Sequence, residues 1–183
     1  MISRNEALNY LHNNINSINL RKHCYAVEAA MKALAKHFNA DSEEWGIAGL
    51  LHDADYEKTK DHTKIVLEWL KDKEENNIYN AVASHAWGYT DFSPEPKTKM
   101  DWSLYCCDEL TGLIVAVALV RPDKKISSVS VDSVLKKWNA KSFAAGVDRK
   151  QIELCEDKLN IPLRDFIGIT LKSMQGISGD LGL

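Results

Sequence analysis

Glycine and proline are scarce in this chain, with 9 and 4 among 183 residues, so few positions break a helix or demand a tight turn. Its cysteines, Cys24, Cys106, Cys107 and Cys155, form no CxxC pair. That spacing gives neither a disulfide framework nor a zinc knot, and the four read as reduced packing residues of a cytoplasmic protein. The N-terminal MISRNEALNY lacks the apolar stretch of a secretory signal. The longest nearly uncharged apolar run, 113–120, is too short to span a bilayer. A large excess of one charge is missing as well: 23 Lys+Arg against 26 Asp+Glu leave a formal charge of -3. This balance argues against general electrostatic binding to a nucleic acid polymer or a membrane.

What is present is a 45% hydrophobic content, enough for one domain with its own core. Helical spacing carries most of it. Ser3 and Glu6 have capping-box spacing ahead of Leu8, Leu11 and Ile15, predicting a helix over 3–16. From 20 to 38, His23, Val27, Ala30, Met31 and Leu34 share one apolar stripe. Asp41 opens a third helix that ends near Asp53, and two more are predicted over 61–71 and 74–87. Gly88, Pro94 and Pro96 mark 88–99 as a loop. The most apolar helix runs over 101–120 and stops at Arg121-Pro122. Short helices over 131–138 and 148–158 and a last one over 162–177 complete an all-α chain: a metal-site core at about 20–121 with a small helical extension at about 122–183. The β-branched stretch 126–134 is too short to change that class.

Two of the six histidines, His12 and His37, sit on polar faces and read as exposed. The other four lie elsewhere: His23 on an apolar stripe, His52 beside Asp53 at a helix end, His62 opening a helix and His85 closing one. Asp108 interrupts an apolar helix beside Tyr105, Cys106 and Cys107. A buried lone carboxylate is costly unless a cation or hydrogen bonds compensate it; the alternatives are a side chain facing solvent or paired with Lys or Arg. Imidazole and carboxylate groups on separate helices form a donor set suited to a divalent metal.

The ordered set His23, His52-Asp53, Asp108 resembles the H...HD...D pattern of the HD superfamily of metal-dependent phosphohydrolases, with the pair set in GIAGLLHDADY. Where a subset of that family continues as HDIG, this chain has Ala54-Asp55. The segments RKHCYAVEAAM, LLHDADYEK, DHTK, SHAWGY, CDELTGLIVAVALVRPDKK and KSFAAGV also resemble, nearly end to end, a group of short bacterial and archaeal predicted HD hydrolases. The resemblance implies an all-α HD-domain helical bundle and a divalent ion (Mn, Mg, Fe, Co, Ni or Zn), one or two per chain, held by His23, His52, Asp53 and Asp108. It implies a small phosphorylated substrate, attacked at phosphorus by a metal-activated water that Asp53 orients. His62 and His85 fall where two-metal relatives hold a second ion bridged by the HD aspartate; the alternative is contact with substrate phosphate or protonation of the leaving group. Without an adjacent His pair near His85, one tightly held ion is the expectation.

Arg121, Lys124 and Lys141 are candidates for the phosphate, although a helix C-terminus also favours Arg121 through its dipole. Asp55 and Glu57 follow the pair at an offset unlike that of relatives in which a carboxylate positions water, and read as solvated loop residues. Trp87 and Tyr89 could stack on a base, but core packing is the commoner fate of such aromatics. In the metal-free protein, desolvation and like charge are expected to raise the pKa of Asp108. Besides the phosphohydrolase, two other classes fit: a sensor that holds metal and a phosphorylated ligand without turnover, and a helical interaction module with a vestigial site.

Overall fold

The helices follow from their caps and stripes. In the computed structural model, which describes residues 2–140 and 142–183, the Ser3–Glu6 box closes the first turn of α1 (Arg4–Asn14), and Ser17 caps α2 (Ile18–His37). Asp41 accepts from the Glu43 and Glu44 N–H groups at the start of α3 (Ser42–Leu51). Then come α4 (Lys64–Asp72), α5 (Asn76–His85) and α6 (Lys99–Leu119), the last opened by a Thr98–Asp101 capping box. A 3-10 turn at Ile126–Ser128 leads to α7 (Val131–Trp138), α8 (Arg149–Leu159), α9 (Leu163–Gln175) and the short α10 (Ser178–Leu181). No strand occurs among the described residues; Trp87 and Thr90 make an isolated bridge within a turn.

The central packing is α2 on α3, with α6 laid across α2, α5 and α8. Gly49 allows the first of these contacts: a Cβ there would meet the Val27 carbonyl oxygen at 2.8 Å, so a larger residue would force the backbones apart. That approach brings His23 of α2 to the end of α3. By length and composition α6 could cross a membrane, but two thirds of its apolar window is buried inside the fold, and core packing accounts for its apolarity. The C-terminal helices α7 to α10 pack onto α2 and α6, and one apolar cluster runs from Ile2 to Leu181. The four cysteines are free and buried in it.

The helix predicted from Asp61 starts three residues later. Thr63 takes a left-handed φ of 76° and makes no side-chain cap. Instead Asp55, from the turn after α3, accepts the N–H groups of Thr63, Ile65 and Val66 at 3.0, 2.9 and 3.0 Å. A β-branched residue with positive φ costs about 1–3 kcal/mol, and these bonds hold it there.

Candidate metal centre

Six side chains converge where the ends of α3 and α5 face α2 and α6. His23 comes from the second turn of α2, His52 and Asp53 from the end of α3, His62 from the turn before α4, His85 from the last residue of α5 and Asp108 from α6. His52 continues α3 in helical conformation (φ -54°, ψ -39°), and the chain then winds through turns in which Ala54 N–H donates to Leu51 and Tyr56 N–H to Asp53. Asp53 thereby points between two pairs of histidines.

One group of donors consists of His23 Nε2, His52 Nε2, Asp53 Oδ2 and Asp108 Oδ1. His23 Nε2 lies 3.1 Å from His52 Nε2, 2.9 Å from Asp108 Oδ1 and 3.7 Å from Asp53 Oδ2. His52 Nε2 lies 3.5 Å from both carboxylates. On the other side, Asp53 Oδ1 is 2.9 Å from His62 Nε2 and 3.6 Å from His85 Nε2, and those two nitrogens are 3.0 Å apart.

The outer ring nitrogens fix which atoms face inward. His52 Nδ1 donates to the Gly49 carbonyl at 2.8 Å and His85 Nδ1 to the Val82 carbonyl at 2.6 Å. Thr111 gives its own proton to the Asp108 carbonyl, so its oxygen accepts from His23 Nδ1 at 3.3 Å. His62 Nδ1 faces Asp55 Oδ1 at 3.4 Å, longer than a well-formed hydrogen bond. Carbonyl partners can only accept, so Nδ1 carries the proton and Nε2 of a neutral ring is left with a bare lone pair. With Nδ1 protonated on both His23 and His52, their Nε2 lone pairs, 3.1 Å apart, repel unless a cation lies between them. Metal bonds of about 2.0–2.2 Å at tetrahedral or octahedral angles put neighbouring donors roughly 2.9–3.5 Å apart, and these separations fall largely in that range. Residues His23, His52 and Asp108, and likewise His52, Asp53 and His85, could hold a metal ion.

Without metal, protons take the cation's place. Burial pulls the His52 imidazolium down, but Asp53 and Asp108 overcome it and carry its pKa to about 9. His62 reaches about 9 in the same way, against burial, through Asp53 and Asp55. For His85, burial dominates and lowers the pKa. Asp53 and Asp108 are raised by burial yet end well below the ordinary carboxylate range, because His52 and the other rings face them. The expected rise for Asp108 is thus reversed: its neighbours include imidazoles from α2 and α3 that the sequence of α6 does not reveal.

The cluster forms the floor of a cleft of about 790 Å³ whose walls include Tyr56, Lys60, Tyr89, Glu109 and Val147. Other expected site residues lie elsewhere. Arg121 donates to Ser128 at 3.0 Å and Lys124 borders a separate hollow with Ser178 and Gly182; helix α6 carries that end roughly 20 Å from Asp108 at ~1.5 Å per residue. Lys141 lies outside the described residues. Asp55 is fully buried, and Glu57 accepts from the Asn16 and Ser17 N–H groups at 2.6 and 2.8 Å, so both are structural ties and not free loop carboxylates. His12 is half-buried against the Tyr25 hydroxyl at 2.6 Å, whereas His37 is exposed. Trp87 packs against Trp102 and Tyr105, while Tyr89 is left exposed on the cleft. Sequence reasoning passed over Tyr56 and Lys60; their only signal was closeness to the His52-Asp53 pair.

The all-α bundle thus brings together, from several helices, a His/Asp donor set that could hold a metal ion. Residues 20–109 match the family model of the HD domain, a span that contains His23, His52, Asp53, His62, His85 and Asp108. Over that span the chain is similar to the HD domain, an all-α fold. No curated protein matches it.

Proposed function

We propose that the protein is a cytoplasmic metal-dependent phosphohydrolase acting on a nucleotide or other small phosphate ester, with two divalent ions at its site. The observation that carries this reading is the Asp53 carboxylate, turned so that Oδ2 faces His23 and His52 while Oδ1 faces His62 and His85. One ion would be held by His23, His52, Asp53 and Asp108, the other by His62, His85 and Asp53. The missing adjacent His pair is supplied in space by His62 and His85. Their Nε2 atoms aim at Asp53 and at each other, which favours a ligand role over proton donation to a leaving group.

Divalent ions in such a site lower the pKa of water and neutralise charge on phosphoryl oxygens. The chain's residues supply the rest. The Gly49 and Val82 carbonyls lock the ring orientations of His52 and His85, and Asp53 sits at the centre of the cluster. Lys60, on the cleft wall, takes the phosphate-contacting role that Arg121 and Lys124 are too remote to fill. Histidine and aspartate ligands suit Mn, Mg, Fe, Co, Ni and Zn in varying degree, so each is a candidate.

The test is a panel of nucleotides and simple phosphate esters offered to protein loaded with each of these metals in turn. Metal-dependent phosphate release that chelator abolishes is expected for at least one ester. Full metal loading with no release from any of them would overturn the hydrolase and favour the sensor.

A further inference from the structure

Two tyrosines stand out against the burial of most aromatic side chains in the core. Tyr56 and Tyr89 are 59% and 61% exposed, and both line the cleft above the His/Asp cluster. Their placement follows from the turns that leave the ligand-bearing helices. Tyr56 comes three residues after Asp53, its N–H donating to the Asp53 carbonyl; Tyr89 comes four after His85, its N–H donating to the Ala86 carbonyl. Each turn after the proposed ligands thus ends in a tyrosine at the rim.

Neither ring hangs free. Tyr56 lies edge-on to the His62 ring with centroids 5.2 Å apart. The Tyr89 hydroxyl sits between Gln151 Oε1 at 3.1 Å and Glu109 Oε1 at 3.3 Å. Gln151 is itself fixed by donating to the Tyr105 carbonyl at 2.6 Å. Gly88, with φ 85° and open space where a Cβ would stand, lets the chain turn so that Tyr89 reaches these partners. The Tyr89 ring, held by its hydroxyl yet 61% exposed, has already lost much of the freedom that binding would otherwise have to remove.

We propose that Tyr56 and Tyr89 form a subsite for a planar aromatic ring, which makes the substrate a small phosphate ester carrying a nucleobase or similar ring. This rests on the hydrolase reading for the position of the phosphate, but not for the ring subsite itself. A polynucleotide fits less well: among the described residues Lys60 is the one Lys or Arg lining the cleft, whereas strand binding relies on a basic groove. The C-terminal helices share in the subsite, since Gln151 belongs to α8 and the Asp148 N–H donates to Glu109 at 3.0 Å.

The experiment compares adenosine monophosphate with ribose 5-phosphate, which has the same sugar and phosphate but no base, on the metal-loaded full chain. The readout is the ratio of kcat/KM where phosphate is released, and the ratio of calorimetric Kd values where it is not. Wild type is expected to favour the nucleotide by about ten- to a hundredfold, in keeping with base–aromatic stacking. Tyr56→Ala/Tyr89→Ala should bring that ratio to within about threefold of unity, while Tyr89→Trp keeps it. Wild type that treats the two ligands alike or binds neither, a ratio unchanged in the double variant, or tighter retention of single-stranded oligonucleotide than of the mononucleotide would overturn the subsite. Ring-selective binding together with no release from any ester of the panel would overturn the hydrolase and leave the subsite standing; release without ring selectivity would do the reverse.

Discussion

Asp53→Ala is expected to lower metal-dependent kcat/KM by on the order of 10³ or more, the scale of removing a group central to transition-state charge stabilisation. The reason is geometric. Among the described residues Asp53 is the one side chain whose two oxygens face both histidine pairs, so its loss weakens both donor groups together. His52→Ala, by contrast, leaves His62, His85 and Asp53 in place. The fold should survive, because Asp53 lies in a turn beyond α3 and contributes nothing to the apolar cluster. Far-UV circular dichroism and kcat/KM on metal-loaded protein check both halves. An activity within tenfold of wild type would remove Asp53 from the centre of the site.

Asp108→Asn should lower stability both without and with metal, for a different reason in each case. In chelator near pH 6, wild type pairs the Asp108 carboxylate with His23 at 2.9 Å and His52 at 3.5 Å. Removing that charge leaves His52 with Asp53 alone and is expected to cost roughly 1–3 kcal/mol, less than a wholly broken buried pair because Asp53 remains. The melting temperature should then fall by about 3–10 °C for a chain of this size. The sign with pH is fixed by the shifts. His52 is raised above its unfolded value to about 9, so its contribution is complete below about pH 6.5 and fades as pH rises through 9. Asp53 and Asp108 are depressed, so theirs is present above about pH 4 and is lost only on strong acidification. The gap between variant and wild type should therefore narrow from pH 6 to pH 9.5. Added metal raises wild-type stability by about 2.7 kcal/mol at a hundredfold excess over Kd, and Asp108→Asn should forfeit most of that gain. Equal metal-induced shifts in the two proteins, or a gap constant with pH, would contradict the assigned contacts.

The helices were legible because their signals are local: the caps at Ser3 and Asp41 act within a turn. His23, His52, Asp53 and Asp108 were legible as a set because each sits on or at the end of a helix in a recurring order. Residues whose partners are distant in sequence were not. Asp55 reads as a loop carboxylate until α4 folds back and offers it three N–H groups. Glu57 finds its partners some forty residues earlier, at the start of α2. Arg121 and Lys124 follow Asp108 along the chain, but a straight helix carries its ends apart, so closeness in sequence misplaced them. The pKa of Asp108 was misjudged for the same reason: its apolar neighbours on α6 are visible in sequence, whereas the imidazoles that reverse the shift come from α2 and α3. Tyr89 and Trp87 share one turn, and only the packing of Trp102 and Tyr105 around Trp87 separates their fates.

The most direct measurement is the metal content of wild type and Asp53→Ala after loading with excess Mn and removal of unbound ions, read by mass spectrometry near pH 7.5. Wild type is expected to hold about two ions per chain, as in carboxylate-bridged two-metal sites, and Asp53→Ala to retain none. Wild type that retains no divalent ion at saturation, or an Asp53→Ala protein that retains as much as wild type, would contradict the bridged site.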